Sequence, residues 1–173
     1  MKRMILASGS PRRKELLQML EVPFEVLVSD TKEVITKNEP AEVTKELSYQ
    51  KAMAVAEQVE EGIIIGADTV VSIDGKILGK PADTEEAREM IYKLQGKSHM
   101  VYTGVTVIAK SGDMVSASSF AEGTKVNVAP MTENEIEAYI STDEPYDKAG
   151  AYGIQGLFGK FIEGIKGDYF NVV

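Results

Sequence analysis

Two carboxylates, Glu33 and Asp68, stand in this sequence with a scattered set of cations and hydroxyls: Ser8, Ser10, Arg12, Arg13, Lys51 and Lys80. Cations hold phosphates and paired carboxylates hold a hard divalent metal. Together they form a coherent kit for metal-assisted hydrolysis of a phosphoanhydride. Taken singly, most have ordinary explanations: Lys51 as a solvated helix residue, Lys80 as a turn residue, Glu33 as a loop charge, Gln155 as a loop cap. Asp68 is the exception. It lies within Ile63–Ile73, the most apolar run of the chain, where an unpartnered carboxylate is costly. It must therefore pair, bind a metal or stand at an exposed strand end.

The run Leu6-Ala7-Ser8-Gly9-Ser10-Pro11-Arg12-Arg13-Lys14-Glu15-Leu16-Leu17 organises the rest. A short apolar strand breaks into a polar turn, and Pro11 suits the first helical position because its missing N–H would be unpaired there. Ser10 then takes the N-cap. The positive end of the helix dipole faces a turn carrying two serines and two arginines, which is an arrangement able to hold a polyphosphate. The alternative is a plain strand-turn-helix junction whose arginines pair with surface carboxylates.

Several other chemistries are excluded. Gly96-Lys97-Ser98 ends like a P-loop, but position 91 is Ile and the tripeptide follows a helix rather than opening one. No Gly-x-Gly-x-x-Gly follows a strand, and a single histidine, His99, rules out a His-Glu-x-x-His zinc site. His99 reads as structural or solvated. Without cysteine there is no disulfide, thiolate metal site or thiol nucleophile. A net charge of −8 speaks against a nucleic-acid surface, which needs a basic face. The apolar start Met1–Ala7 stops at Ser8, too short for a signal peptide, and no run approaches a membrane span. The chain reads as a soluble cytoplasmic protein with no membrane partner.

The elements that must position these residues are legible in outline. At 173 residues and 43% hydrophobic content the chain has material for one domain, 1–173, with a real core. Pro11 opens a helix ending near Leu20, and Phe24–Val28 alternates as a half-buried strand. Ser29–Glu39 is a polar loop carrying Glu33. Val43, Leu47, Ala52, Val55, Ala56 and Val59 follow a helical period over Pro40–Val59, with Lys51 on that helix and Gly62 ending it. The strand Ile63–Ile73 turns at Asp74-Gly75. A helix from Asp83 to Leu94 closes at Gly96, and Val101–Ala109 with Met114–Ala129 make a long hairpin. Thr132-Glu133-Asn134-Glu135 is a capping box opening a helix to Ile140. Gly150, Gly153, Gly156 and Gly159 mark a loop where the backbone passes close to something else, and Tyr169–Val173 reads as a final strand.

Leu6–Leu17, Gly66-Ala67-Asp68-Thr69, Gly79-Lys80-Pro81 and Asp147-Lys148-Ala149-Gly150-Ala151-Tyr152-Gly153-Ile154-Gln155-Gly156 together resemble the Maf family of nucleoside triphosphate pyrophosphatases, in order and from end to end. The resemblance implies an α/β fold of the Maf/inosine-triphosphatase-like type, an extended mixed β-sheet with flanking helices forming two lobes around a central cleft. It implies hydrolysis between the α and β phosphorus atoms to a monophosphate and pyrophosphate, with Mg²⁺ or Mn²⁺, and a homodimer. Asp68 matches the family's proton acceptor, and Arg12, Thr69 and Gln155 match positions linked to pyrimidine choice. On this reading the Ser8 to Ser10 turn, Arg12, Arg13, Lys51 and Lys80 are expected to hold the triphosphate, and Glu33 and Asp68 to bind the metal directly or through water. The chain looks like the branch acting on dTTP and UTP. The sister branch, selective for N7-methyl-GTP, tends to carry Ser-Asp-Gln where this chain has Ala67-Asp68-Thr69, and Glu-Gly in place of Gln155-Gly156.

The rival readings are the same chemistry on N7-methyl-GTP and a non-catalytic nucleotide-binding regulator, because the family is linked to septum formation and arrest of cell division. The family pattern also continues past Asn171-Val172-Val173 with Gly-Leu-Pro and a further helix.

Overall fold

The computed structural model describes residues 3–30 and 32–173; Met1, Lys2 and Thr31, which fall in the start and in the polar loop read above, lie outside the described residues. The chain carries a seven-stranded mixed sheet with strand order β2-β1-β3-β5-β6-β7 and β4 paired to β3. Two compact units share its long strands. One is built from the chain up to Asp68 with Thr103–Ala121, the other from Thr69–Tyr102 and Glu122–Val173.

The first unit opens with β1 (Met4–Leu6), α1 (Pro11–Gln18) and β2 (Glu25–Val26), followed by α2 (Pro40–Ala56) and β3 (Glu61–Ile73). β1 pairs in parallel with β2 on one side and β3 on the other. The chain therefore goes out from β1 in both directions, and ligands of α/β sheets bind outside the carboxyl ends of the strands at such a reversal. Ser8 lies just beyond that end of β1. Proline sits at the start of both α1 and α2, where its missing N–H does no harm. The core of this unit joins Ile5 and Ala7 to Ala52, Val55, Ala56 and Val59 of α2, with Ile64 and Ile108.

Three expectations change here. The Phe24–Val28 strand is only Glu25–Val26, with both residues exposed, because it is an edge strand held on one side. α2 stops at Ala56, and Gly62 lies inside β3 rather than closing the helix. Ser10 takes the N-cap position of α1, but its side chain makes no capping bond; the Ser8 hydroxyl accepts the Ser10 N–H instead, at 3.3 Å.

In the second unit Asp74 and Gly75, at φ 50° and 74°, turn β3 into β4 (Lys76–Leu78), as a two-residue hairpin requires. α3 (Thr84–Leu94) is capped by Asp83, and α4 (Glu133–Ile140) by the Thr132–Glu135 box. The hairpin of β5 (Ser98–Ser111) and β6 (Met114–Val128) is longer than read, and β7 (Ile162–Lys166) pairs antiparallel to β6. The expected last strand is a helix, α5 (Tyr169–Val172). Asp168 accepts the Asn171 N–H at 2.9 Å, while Asn171 Nδ2 donates to Val101 O and Thr124 Oγ1, so capping overrides strand propensity. The core here runs from Val71 and Ile73 through Ala87, Ile91 and Leu94 to Ile136, Ile140 and Phe158. Among the described residues no helix is long and apolar enough to cross a membrane.

Candidate active site

Strand period 2 puts Ile64, Gly66 and Asp68 on one face of β3. Ile64 packs in the core with Ala52 and Val55. At Gly66 the helix lies almost on the strand: a Cβ there would stand 2.4 Å from Ser48 O and 2.9 Å from Ala52 Cβ. Gly104 does the same on β5, where a Cβ would fall 2.2 Å from the Thr44 carbonyl carbon. α2 is also tied down by a hydroxyl chain that runs from buried Ser48 and Thr106 out to exposed Ser119, each link 2.8 Å. Lys51, between Ser48 and Ala52, then meets the next residue on that strand face. That residue is Asp68.

The Lys51 ammonium hydrogen-bonds Asp68 Oδ1 and lies 3.1 Å from Glu33 Oε1. Both expected carboxylates therefore converge on one cationic point. Asp68 is 9% exposed. Burial pushes its carboxyl above the usual range and Glu33 pushes the same way, whereas Lys51 and Arg13 hold it down. A buried carboxylate with a raised proton affinity beside two cations is a stronger base than an ordinary aspartate. Arg13 donates from Nη1 to Ala67 O at 2.8 Å and to Ser8 Oγ at 3.2 Å, pinning the turn after β1 to the residue before Asp68. Burial lowers the Arg13 proton affinity, with Asp68 opposing that and Arg12 adding to it, so Arg12, Arg13 and Asp68 share one electrostatic neighbourhood.

This unit thus brings together Ser8, Arg13, Glu33, Lys51 and Asp68, with Ser10 and Arg12 on the same turn and helix. Two carboxylates reaching one point suit a magnesium-like ion, which takes one or two protein carboxylates and completes its shell with water and phosphate oxygens. No group of three or more His, Asp or Glu side chains fit to hold a metal alone occurs among the described residues. The donor set therefore fits an ion that arrives with a phosphate ligand.

Thr69, Lys80 and Gln155 belong to the second unit. Thr69 is half-buried, and Lys80 and Gln155 are exposed. The turn carrying Lys80 is fastened to the glycine loop, since Gly150 donates to Gly79 O at 2.9 Å. Gly150 is obligatory there: φ is 69° and a Cβ would stand 2.8 Å from Val71. Sequence reasoning missed Glu144, whose carboxylate accepts the N–H groups of Leu157 and Phe158 at 2.6 and 3.2 Å and the Tyr139 hydroxyl at 3.2 Å. It anchors the segment that follows Gln155. His99 is buried, hydrogen-bonded through Nε2 to the Tyr152 hydroxyl at 2.6 Å, and kept neutral by burial, which lowers its pKa to about 4.

A parallel reversal at β1, with a polar turn at its carboxyl end and a Lys-bridged carboxylate pair beside it, gives this α/β protein an arrangement suited to a phosphate ligand. A model of the Maf-like protein family matches residues 3–173, and the chain belongs to that family. A relative from Bacillus cytotoxicus named dTTP/UTP pyrophosphatase is 53% identical over 100% of this chain and 89% of its own length. A Bacillus cereus protein of the same name is 49% identical over the same shares. The solved structure of the Staphylococcus aureus Ham1 protein, 16% identical, superposes with a TM-score of 0.52 over 74% of this chain and 72% of that one, a likeness of fold.

Proposed function

We propose that this chain is a nucleoside triphosphate pyrophosphatase that cleaves dTTP and UTP to the monophosphate and pyrophosphate, its two units acting as one Maf domain. The observation that carries the reading is the convergence of Glu33, Lys51 and Asp68 beside the Arg13–Ser8 turn. The relatives' activity agrees with it.

In this reading Arg12, Arg13, Lys51, Lys80 and the Ser8 to Ser10 turn hold the triphosphate and take up charge as pyrophosphate leaves. Asp68 orients a water toward the α phosphorus and accepts its proton as the α–β phosphoanhydride bond breaks. Lys51 hands its hydrogen bond from Asp68 to phosphate when substrate enters, which leaves the carboxylate to serve as base. Glu33 and Asp68 would hold Mg²⁺ or Mn²⁺, which when bound supplies neutralisation of the phosphate charge. Thr69 and Gln155 choose the base, and the Gln155 amide offers both a donor and an acceptor to a uracil or thymine edge.

The test is incubation with dTTP, UTP, CTP, GTP and N7-methyl-GTP plus Mg²⁺ or Mn²⁺, with products separated by chromatography. Monophosphate and pyrophosphate from dTTP and UTP are expected. N7-methyl-GTP as the preferred substrate would move the chain to the sister branch, and tight nucleotide binding without turnover would make it a regulator. Asp68→Asn keeps the shape and removes the base, so turnover falls by roughly 100-fold or more. Near-normal turnover in that variant removes Asp68 from the role. Gln155→Glu shifts nucleotide preference; an unchanged profile shows that Gln155 does not read the base.

A further inference from the structure

Glu33 is far from Asp68 in sequence and lies in a segment without regular structure, yet it stands 3.1 Å from the Lys51 ammonium. An exposed carboxylate on an untethered loop would spend little time there, since surface ion pairs are weak. The tether comes from α2. Gln50 grips the residue after Glu33 on both sides: its Oε1 accepts the Val34 N–H at 2.9 Å, and its Nε2 donates to Val34 O at 2.6 Å. The side-chain amide thereby takes the place of a neighbouring strand. Four residues earlier, and so on the same helix face, Glu46 accepts the Thr36 N–H and hydroxyl at 2.8 and 2.5 Å and the Lys37 N–H at 3.4 Å. Those bonds hold the Glu46 carboxyl below its usual range. Lys51 follows Gln50 on the helix, about 100° round, so one face of α2 straps the loop while the adjoining face reaches Asp68.

We propose that Gln50, with Glu46 one turn before it, is a positioning residue that holds Glu33 in register with Lys51 and Asp68 and thereby sets how strongly the carboxylate pair takes a divalent cation. The inference rests on the reading of Glu33 as a metal ligand. Gln50 touches neither substrate nor ion. Its effect passes through the backbone of Val34, one peptide from Glu33.

The experiment compares wild type, Gln50→Ala, Glu46→Ala and Glu33→Gln in three measurements: the Mn²⁺ concentration giving half-maximal UTP hydrolysis, kcat at saturating Mn²⁺, and tryptic cleavage of the metal-free protein at Lys32 and Lys37. Both lysines are exposed; Lys32 precedes the strapped segment and Lys37 is its last bonded residue. Gln50→Ala changes a half-exposed surface residue and leaves the core intact. It is expected to raise the Mn²⁺ requirement about tenfold, as loss of a residue behind a metal ligand does. It should also speed cleavage about tenfold, through loss of two hydrogen bonds, while kcat at saturating Mn²⁺ changes little. Glu46→Ala should move both readouts the same way. Gln50→Glu keeps the acceptor for Val34 N–H, loses the donor to Val34 O, and should fall between. If Glu33→Gln raises the Mn²⁺ requirement and Gln50→Ala does not, the positioning inference is overturned while Glu33 keeps its role, whatever trypsin reports. If Glu33→Gln leaves the requirement unchanged, the metal role of Glu33 fails and the inference falls with it.

Discussion

Gly66→Ala tests whether the height of α2 above the sheet places Lys51 against Asp68. The new Cβ would stand 2.4 Å from Ser48 O and 2.9 Å from both Ala52 Cβ and Ala52 N. Carbon contacts settle near 3.5–4 Å, so the helix must withdraw by about 1 Å. All three obstructing atoms belong to the backbone or to a Cβ, and no flexible side chain can swing aside. Overpacking of this kind costs about 1–3 kcal/mol. For a chain of this size, 2 kcal/mol lowers the melting midpoint by about 4–8 °C. The same withdrawal carries Lys51 away from Asp68, and a displacement of about 1 Å at a reacting centre costs on the order of 100-fold in rate. The control is Gly104→Ala. Its Cβ would meet the Thr44 carbonyl carbon at 2.2 Å, two helical turns before Lys51, and should cost similar stability with a smaller loss of turnover. Calorimetry gives the midpoints, and pyrophosphate release from UTP, measured well below them, gives kcat/KM. A Gly66→Ala protein with a lowered midpoint but kcat/KM within about threefold of wild type refutes the reasoning.

Two further perturbations concern the second unit. His99 is neutral when folded, with its pKa lowered by burial to about 4 from an ordinary 6.5, so it contributes stability that is complete above pH 6.5 and lost as pH falls toward 4. The contribution is at most about 3 kcal/mol. His99→Gln, which keeps a partner for the Tyr152 hydroxyl, should flatten the fall of urea-denaturation stability over that window, and parallel profiles for the two proteins would reject the assignment. Glu144→Ala removes the acceptor for Leu157 N–H, Phe158 N–H and Tyr139 Oη, and should cost about 2 kcal/mol. An unchanged midpoint would show that solvent replaces those bonds.

Local signals in the sequence survived well. Pro11 and Pro40 at helix starts, Asp74-Gly75 at a hairpin and the Thr132–Glu135 box each act within a few residues, and each is where the sequence puts it. Expectations failed where a remote partner decides. Phe24–Val28 has the alternation of a strand, but β1 gives pairing only to Glu25 and Val26, and the edge position exposes both. Tyr169–Val173 has strand-forming residues, yet an N-cap from Asp168 and the Asn171 amide bound to Val101 and Thr124 wind it into a helix. β7 was invisible for the complementary reason. Its Ile162-Glu163-Gly164-Ile165-Lys166 is too polar and glycine-broken to announce itself, and pairs only because β6 offers an edge.

At the site the asymmetry has a sharper physical cause. Asp68 could be found from its sequence neighbours alone, because a charge among β-branched residues is expensive and therefore informative. Lys51 and Glu33 carry no such mark. A lysine on a helix and a glutamate in a polar loop are the cheapest residues to place at a surface, and only the fold shows that they meet. What brings them together is cheaper still to overlook: a glycine on β3 that lets α2 sit close, and a glutamine on α2 whose amide matches a backbone peptide. A charge set among apolar neighbours, as at Asp68, is visible in one dimension. Residues that position its partners need only the right shape at the right distance. Substitutions at Gly66 and Gln50 should therefore impair the enzyme while leaving every proposed phosphate-binding and metal-binding side chain chemically unaltered, by displacing Lys51 in one case and Glu33 in the other.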